Sequence, residues 1–323
     1  MHLNAHGLSV LVLDSREHAV PTIVSLLGDG ASVTLRAATL CAALEDLVQR
    51  GRLAWTSDPV DESTFDVVIR RVPSPATDTP RSGVGRVTLV GAGPGDPGLV
   101  TVAGREALET ADVVVADRLA PWEAIAWAPA HAEVVDVSKI PFGRSTSQDE
   151  INRILVDHAL RGRHVVRLKG GDSYVFGRGF EEVQACAAAG VPTRVIPGVT
   201  SSVAAPELAG VPVTHRGLVQ GFTVISGHVP PGHPDSKVDY AALARSGTTL
   251  VLLMGVLTLP AIAQALLEAG LDGATPCAIV ADASLPSQRD VRTTLAKAAD
   301  DAATAGIGAP AVAVIGRVAA LQP

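Results

Sequence analysis

Two glycines and a carboxylate, followed by an arginine between two more glycines, fill the stretch KGGDSYVFGRG from Lys169 to Gly179. Glycine pairs let backbone approach a ligand closely, and Asp172 and Arg178 put an acceptor and a cation beside it. The plainer reading is a structural turn capped by Asp172. Similar turns follow apolar runs elsewhere. They are GAGPGDPG (Gly91 to Gly98), ADRL (Ala116 to Leu119), VSK (Val137 to Lys139), PGVTS (Pro197 to Ser201) and MGV (Met254 to Val256). If each run is a strand of an open α/β sheet, the turns gather at its C-terminal edge, where ligands bind.

GAGPGD supplies only the first two glycines of a dinucleotide loop, Gly91 and Gly93. Asp96 stands where the third belongs. A carboxylate there caps a helix well but repels a pyrophosphate, and Pro94 removes an N–H from any phosphate cradle. The loop argues against NAD and for a cationic or zwitterionic cofactor. Arg118, Lys139, Arg144, Lys169, Arg178, His215 and Arg216 lie in or near these turns. Singly, each reads as a solvated charge; together they suggest a receptor for several carboxylates, which arginine grips bidentately. Serine hydrolases, zincins and P-loop proteins carry motifs that have no counterpart here.

Such turns need a rigid frame, and the composition supplies one. Of 323 residues, 47% are hydrophobic and 18% charged, the balance of a globular protein. Aromatics at 3% and a net charge of -7 speak against nucleic acid as a partner, which needs stacking surfaces and a basic footprint. Cys41, Cys186 and Cys277 are scattered in apolar or Ala-rich settings. They read as buried hydrophobes, with no metal site and no disulfide framework. No apolar run approaches the ~20 residues of a membrane span, and MHLNAHG is no signal peptide, so a cytoplasmic location without a membrane partner is expected.

The frame reads as α/β throughout. LSVLVLD, ASVTLRA and FDVVIRRV alternate with two helical segments, giving a β-α-β-α-β unit over 1–72. Pro, Ser, Thr and Gly without periodicity make 73–85 a linker. The alternation then restarts. Ser147 and Glu150 form a capping box for a helix closed by Gly162. About ten strands follow Val87, mostly of parallel type, more than one sheet accommodates comfortably. Two subdomains, 86–205 and 206–323, are the expected division.

In combination, VTLVGAGPGDPGLVT, ADRL, KGGD with FGRG, and PGVTS followed by GVPVTHRG resemble the uroporphyrinogen-III C-methyltransferases. These belong to the tetrapyrrole methylases, the class III enzymes dependent on S-adenosyl-L-methionine (SAM). The resemblance runs from Val87 to Leu321. It implies two αβα domains with a cleft between them, and a homodimer. It implies two methyl transfers to carbon of uroporphyrinogen III, giving precorrin-2 through precorrin-1 for sirohaem or cobalamin, with S-adenosyl-L-homocysteine as the other product. Matched motif by motif, Pro94, Gly170, Gly171, Asp172, Val175, Thr200, Ser201, Met254 and Ala283 would contact SAM. Asp117 would be the proton acceptor and Lys139 the donor. Arg118, Arg178, His215 and Arg216 would serve the carboxylates of the tetrapyrrole. Ser138, Ser173-Tyr174 and Ala283 depart from the family pattern.

The first unit resembles the start of the NAD-dependent precorrin-2 dehydrogenase domain of fused sirohaem synthases. Where that family has its glycine loop, this chain has DSREH (Asp14 to His18), without a glycine and with two carboxylates that would repel a pyrophosphate. A degenerate, truncated Rossmann-like domain is expected, retained for structure or docking. Three alternatives stay open: a bifunctional methyltransferase and dehydrogenase, a related precorrin methyltransferase, and a non-catalytic binding module. Asp117 and Lys139 argue against the last.

Overall fold

The computed structural model describes residues 5–14, 19–70, 83–138 and 146–322. By internal contacts, the described residues form two units: Met1–Gly93 with Pro97–Gly198, and Pro94–Asp96 with Val199–Pro323. The second boundary precedes a helix, Ser201–Leu208, that runs across position 205.

The first unit holds two parallel sheets. Strands β1 (Ser9–Val12), β2 (Ser32–Arg36), β3 (Ala54–Thr56) and β4 (Val67–Ile69), with helices α1 (Val20–Gly28) and α2 (Ala42–Gln49), build a sheet of order β3-β2-β1-β4. The central sheet takes β5 (Arg86–Gly91), β6 (Val113–Ala116), β7 (Glu133–Asp136), β8 (His164–Lys169) and β9 (Thr193–Ile196), in the order β7-β6-β8-β5-β9. Helices α3 (Val102–Glu109), α4 (Gln148–Leu160) and α5 (Gly179–Ala188) connect its strands. Ser147 caps α4 by accepting the Glu150 N–H at 3.2 Å, and Gly162 beyond its end has φ +80. These are the start and stop chemistry expected of those residues.

Runs such as the valines of β6 are buried on both faces, as strands covered by helices on two sides must be. The two sheets share one apolar core. Val10, Ile23 and Leu44 belong to the same cluster as Leu108, Trp122, Ile125 and Leu168.

The second unit starts with α6 (Ser201–Leu208) and contains β10 (Phe222–Ser226), α7 (Tyr240–Arg245), β11 (Thr249–Leu253), α8 (Leu259–Glu268), β12 (Pro276–Ala281), β13 (Arg289–Thr294), α9 (Ala298–Thr304) and β14 (Ala311–Ile315). Its sheet order is β10-β11-β14-β12-β13, and only β10 and β11 run parallel. The mostly parallel pattern expected from the sequence therefore fails here. Strand β14 enters from the opposite direction between β11 and β12, and both its pairings are antiparallel.

A histidine is built into the central sheet. His164 opens β8 with its Nε2 2.9 Å from Thr88 Oγ1 and its Nδ1 2.9 Å from the Thr110 carbonyl. Burial lowers its pKa below the usual 6.5; the Thr110 carbonyl opposes the shift and Arg86 adds to it. As pH falls through 6.5 the unfolded chain binds the proton first, so stability rises with pH in this window and is lost below it. Melting temperature should fall between about pH 7 and 5, and His164→Gln should flatten that part of a thermal-unfolding profile.

Candidate functional site

Three strands of the central sheet end against one another without side chains between them. A Cβ on Gly91, the last residue of β5, would lie 2.5 Å from the Gly198 nitrogen; one on Gly198 would lie 2.4 Å from the Gly171 carbonyl oxygen. Gly93 and Gly171 exchange backbone hydrogen bonds of 3.2 and 2.7 Å, with φ of +78 and +67. Only glycine meets both demands. Gly170 lies under the neighbouring turn, where a Cβ would come 2.6 Å from that of Leu119. Asp172 staples the edge. Its Oδ1 accepts the Tyr174 N–H at 2.9 Å and its Oδ2 the Gly198 N–H at 3.0 Å. Val175 is half-buried in the same turn.

The Asp117 carboxylate stands at the same edge, directly after β6. Its Oδ1 accepts the Leu119 N–H at 3.1 Å, and its Oδ2 the Arg167 Nη2 at 3.1 Å. Arg167 is 3% exposed. Its Nε reaches Glu182 Oε1 at 3.2 Å, and its Nη1 bonds the carbonyls of Leu168 and Val115 at 3.0 and 3.3 Å. Lys169 donates to the same Glu182 oxygen at 3.0 Å. Burial pulls the Lys169 pKa down, with Arg167 adding and Glu182 opposing.

Three of the cations expected in the carboxylate receptor have acidic partners within the chain. Lys169 is a buried partner of Glu182 and is not a loop cation. Arg118 gives its Nε to Asp46 at 3.3 Å. Arg178, left-handed at φ +58, is exposed but bidentate to Glu181 at 2.9 and 2.7 Å, which raises its pKa. Lys139 and Arg144 lie outside the described residues. Ser138 and Ser173, two of the departures from the family pattern, are buried, and their hydroxyls find no partner among the described residues.

In the second unit, the half-buried Pro94 leads to Asp96, whose N–H donates to Ser284 Oγ at 2.9 Å. Thr200 caps α6 through the Ser202 N–H, with Ser201 opening the helix. Met254 follows β11 with φ +55 while half-exposed. Ala283 is buried between Asp282 and Ser284, at φ +51 and +73. Ala283 itself is outside the left-handed region, so its methyl costs no backbone strain. His215 and Arg216 are exposed, and neither makes an ion pair among the described residues. All five left-handed non-glycine residues among those described are Phe176, Arg178, Met254, Asp282 and Ser284. Such strain collects at functional loops.

The profile of the tetrapyrrole (corrin/porphyrin) methylases matches residues 86–299. The chain belongs to that family. It is 43% identical over 235 residues to the uroporphyrinogen-III C-methyltransferase of Methanocaldococcus jannaschii, covering 72% of this chain and 96% of that one. It is 41% identical over 244 residues to the sirohaem synthase of Xylella fastidiosa, of which it spans 51%. A crystal structure of uroporphyrin-III C-methyltransferase from Thermus thermophilus, complexed with S-adenosylhomocysteine, superposes with a TM-score of 0.62 at 43% identity, covering 72% of this chain and 98% of that one. The family match begins at Arg86, so the β1–β4 sheet lies outside it.

Motif reading missed Arg167, Glu182, Asp46 and Ser284. For Arg167 a signal exists: a guanidinium inside the apolar run HVVRLK has to find a buried anion. Asp172→Ala unties the 171–174 turn from Gly198 and should weaken SAM binding about tenfold, the loss of one to two hydrogen bonds to a charged group; calorimetry checks it. Arg167→Lys should lower turnover by about 10- to 100-fold with SAM affinity intact. In an Asp117→Asn background it should add little, as steady-state kinetics of the double variant would show.

Proposed function

We propose that this tetrapyrrole methylase methylates carbon on uroporphyrinogen III in two steps, giving precorrin-2 by way of precorrin-1. The reading is supported by the family, by the names of its relatives and by one feature of the geometry. A carboxylate, Asp117, is oriented at the edge of the sheet that ends in Gly91, Gly171 and Gly198.

The residues suit SAM better than a dinucleotide. Pro94 removes an N–H from any phosphate cradle and Asp96 adds a carboxylate beside it, which favours a cationic, zwitterionic group. By their match to the family motifs, Gly170, Gly171, Asp172, Val175, Pro94, Thr200, Ser201, Met254 and Ala283 would hold it. When bound, SAM supplies a methyl on positively charged sulfur, which an electron-rich pyrrole carbon can accept.

The chain's own work is placement and proton transfer. Asp117 keeps lone pairs beyond those held by Leu119 and Arg167. It takes the proton that the macrocycle loses after methylation, and Lys139 serves as donor. His215 and Arg216 would meet substrate carboxylates, since they are exposed and Arg118 and Arg178 have partners within the chain. A homodimer and a cytoplasmic location accompany this reading.

We read the β1–β4 sheet as a degenerate precorrin-2 dehydrogenase relative. Its parallel order β3-β2-β1-β4 is that of a doubly wound nucleotide fold, while DSREH lacks every glycine. NAD titration should show no binding; saturable binding would favour a bifunctional enzyme.

Incubation with SAM and uroporphyrinogen III, followed by mass spectrometry, should show a monomethyl and then a dimethyl product. An unmethylated tetrapyrrole would refute the assignment. Asp117→Asn and Lys139→Ala should each cut turnover by about 10²–10⁴-fold without loss of SAM binding.

A further inference from the structure

A short helix beside the β1–β4 sheet, α2, reaches the ends of β6 and β7. α2 has no side-chain cap at Cys41. One of its first-turn donors, the Ala43 N–H, goes instead to Oδ2 of Asp136 at 2.8 Å. Asp136 ends β7, and its Oδ1 accepts the Ser138 N–H at 2.9 Å. A single carboxylate thus ties the start of α2 to the residue that precedes Lys139 in the chain.

One turn further on, Asp46 is 4% exposed. Its Oδ1 takes Arg118 Nε at 3.3 Å and its Oδ2 takes Arg50 Nε at 2.7 Å. Arg118 directly follows Asp117. The contact continues through Arg52 to Glu123 at 2.9 Å and through the buried Trp122 in the shared core. An exposed ion pair would mean little. Asp46 is different because it is buried, so its charge depends on Arg50 and Arg118 together and holds both in place. One grip falls on the residue directly after the proposed proton acceptor, and the other on Asp136, three residues before Lys139 in the chain. No hydrogen bond or ion pair among the described residues runs from α2 to the glycine turns at Gly91, Gly171 and Gly198.

We propose that α2 is a positioning element for the methyltransferase. Asp46 acts through Arg118, and the Ala43 N–H acts through Asp136, to fix the ends of β6 and β7. Arg118 serves this brace and not the substrate. A sheet without its nucleotide loop is thereby retained as part of the catalytic frame. The inference rests on the reading of Asp117 as proton acceptor.

The test uses the full chain with Asp46→Ala, Asp46→Asn, Arg118→Ala and the double variant Asp46→Ala/Arg118→Ala. Hydrogen exchange over 113–120 and 133–138 needs no substrate, and it should speed up in Asp46→Ala. Turnover should fall about tenfold, the effect of a displaced reacting group, while calorimetric SAM affinity stays at the wild-type value. Asp46→Asn keeps an acceptor and the side-chain shape, so it should fold even if the alanine variant does not, with an intermediate loss. The double variant should be no slower than the slower single variant, because the two residues act as one unit. Wild-type exchange in both peptides, or a lower melting temperature with unaltered turnover, would overturn the brace. Faster exchange in a protein inactive on uroporphyrinogen III would remove the substrate assignment and leave the brace standing.

Discussion

Arg167 occupies the middle of a buried parallel strand, where an unpaired guanidinium would cost several kcal/mol. It is tolerated because Glu182, Asp117 and the carbonyls of Val115 and Leu168 receive its N–H groups. The constraint works in both directions. A guanidinium is planar and its donors are fixed in a fork, so whatever satisfies them is held in place as well. β6 and its Asp117, the first turns of α5, and β8 are thereby locked into one register. The Gly171 turn follows β8 and the Asp117 carboxylate follows β6, so both start from those elements.

The glycine edge is a second constraint of a different kind. At Gly91 and Gly198 the backbone closes against the Gly171 carbonyl to distances that exclude any Cβ, and Asp172 fastens two of those turns together. This makes Asp172 a builder of that edge. The same carboxylate that a motif assigns to a cofactor is spent on two backbone N–H groups, so its loss would be felt by everything bound on that edge.

How much of this was legible in the sequence depended on periodicity and on partners. The β-α alternation, the Ser147 cap and the turns at strand ends follow from local chemistry and appear where local chemistry puts them. β3 and β13 escaped notice. One has three residues, and the other, RDVRTT, is a polar edge strand with no buried face to write a pattern. Antiparallel pairing in the second unit is a matter of topology, which residue types do not encode. Lys169 was misread for a related reason. A lysine beside two glycines looks like a loop cation unless the glutamate waiting for it, thirteen positions along the chain, is known to face it.

The same lesson bears on the N-terminal sheet. Reading it as a degenerate nucleotide domain leaves open why its strands and helices are kept. A core cluster that runs without a break from Val10 to Leu168 means that neither sheet of this unit can be removed without exposing the other. On that reading, losing a nucleotide site would leave the burial untouched, because a loop that binds phosphates contributes little to a core. Selection can therefore abandon the chemistry of such a domain and still be bound to keep its packing. Once packing is kept, any polar contact at its margin, such as Asp46 to Arg118, acts on the turn beside Asp117.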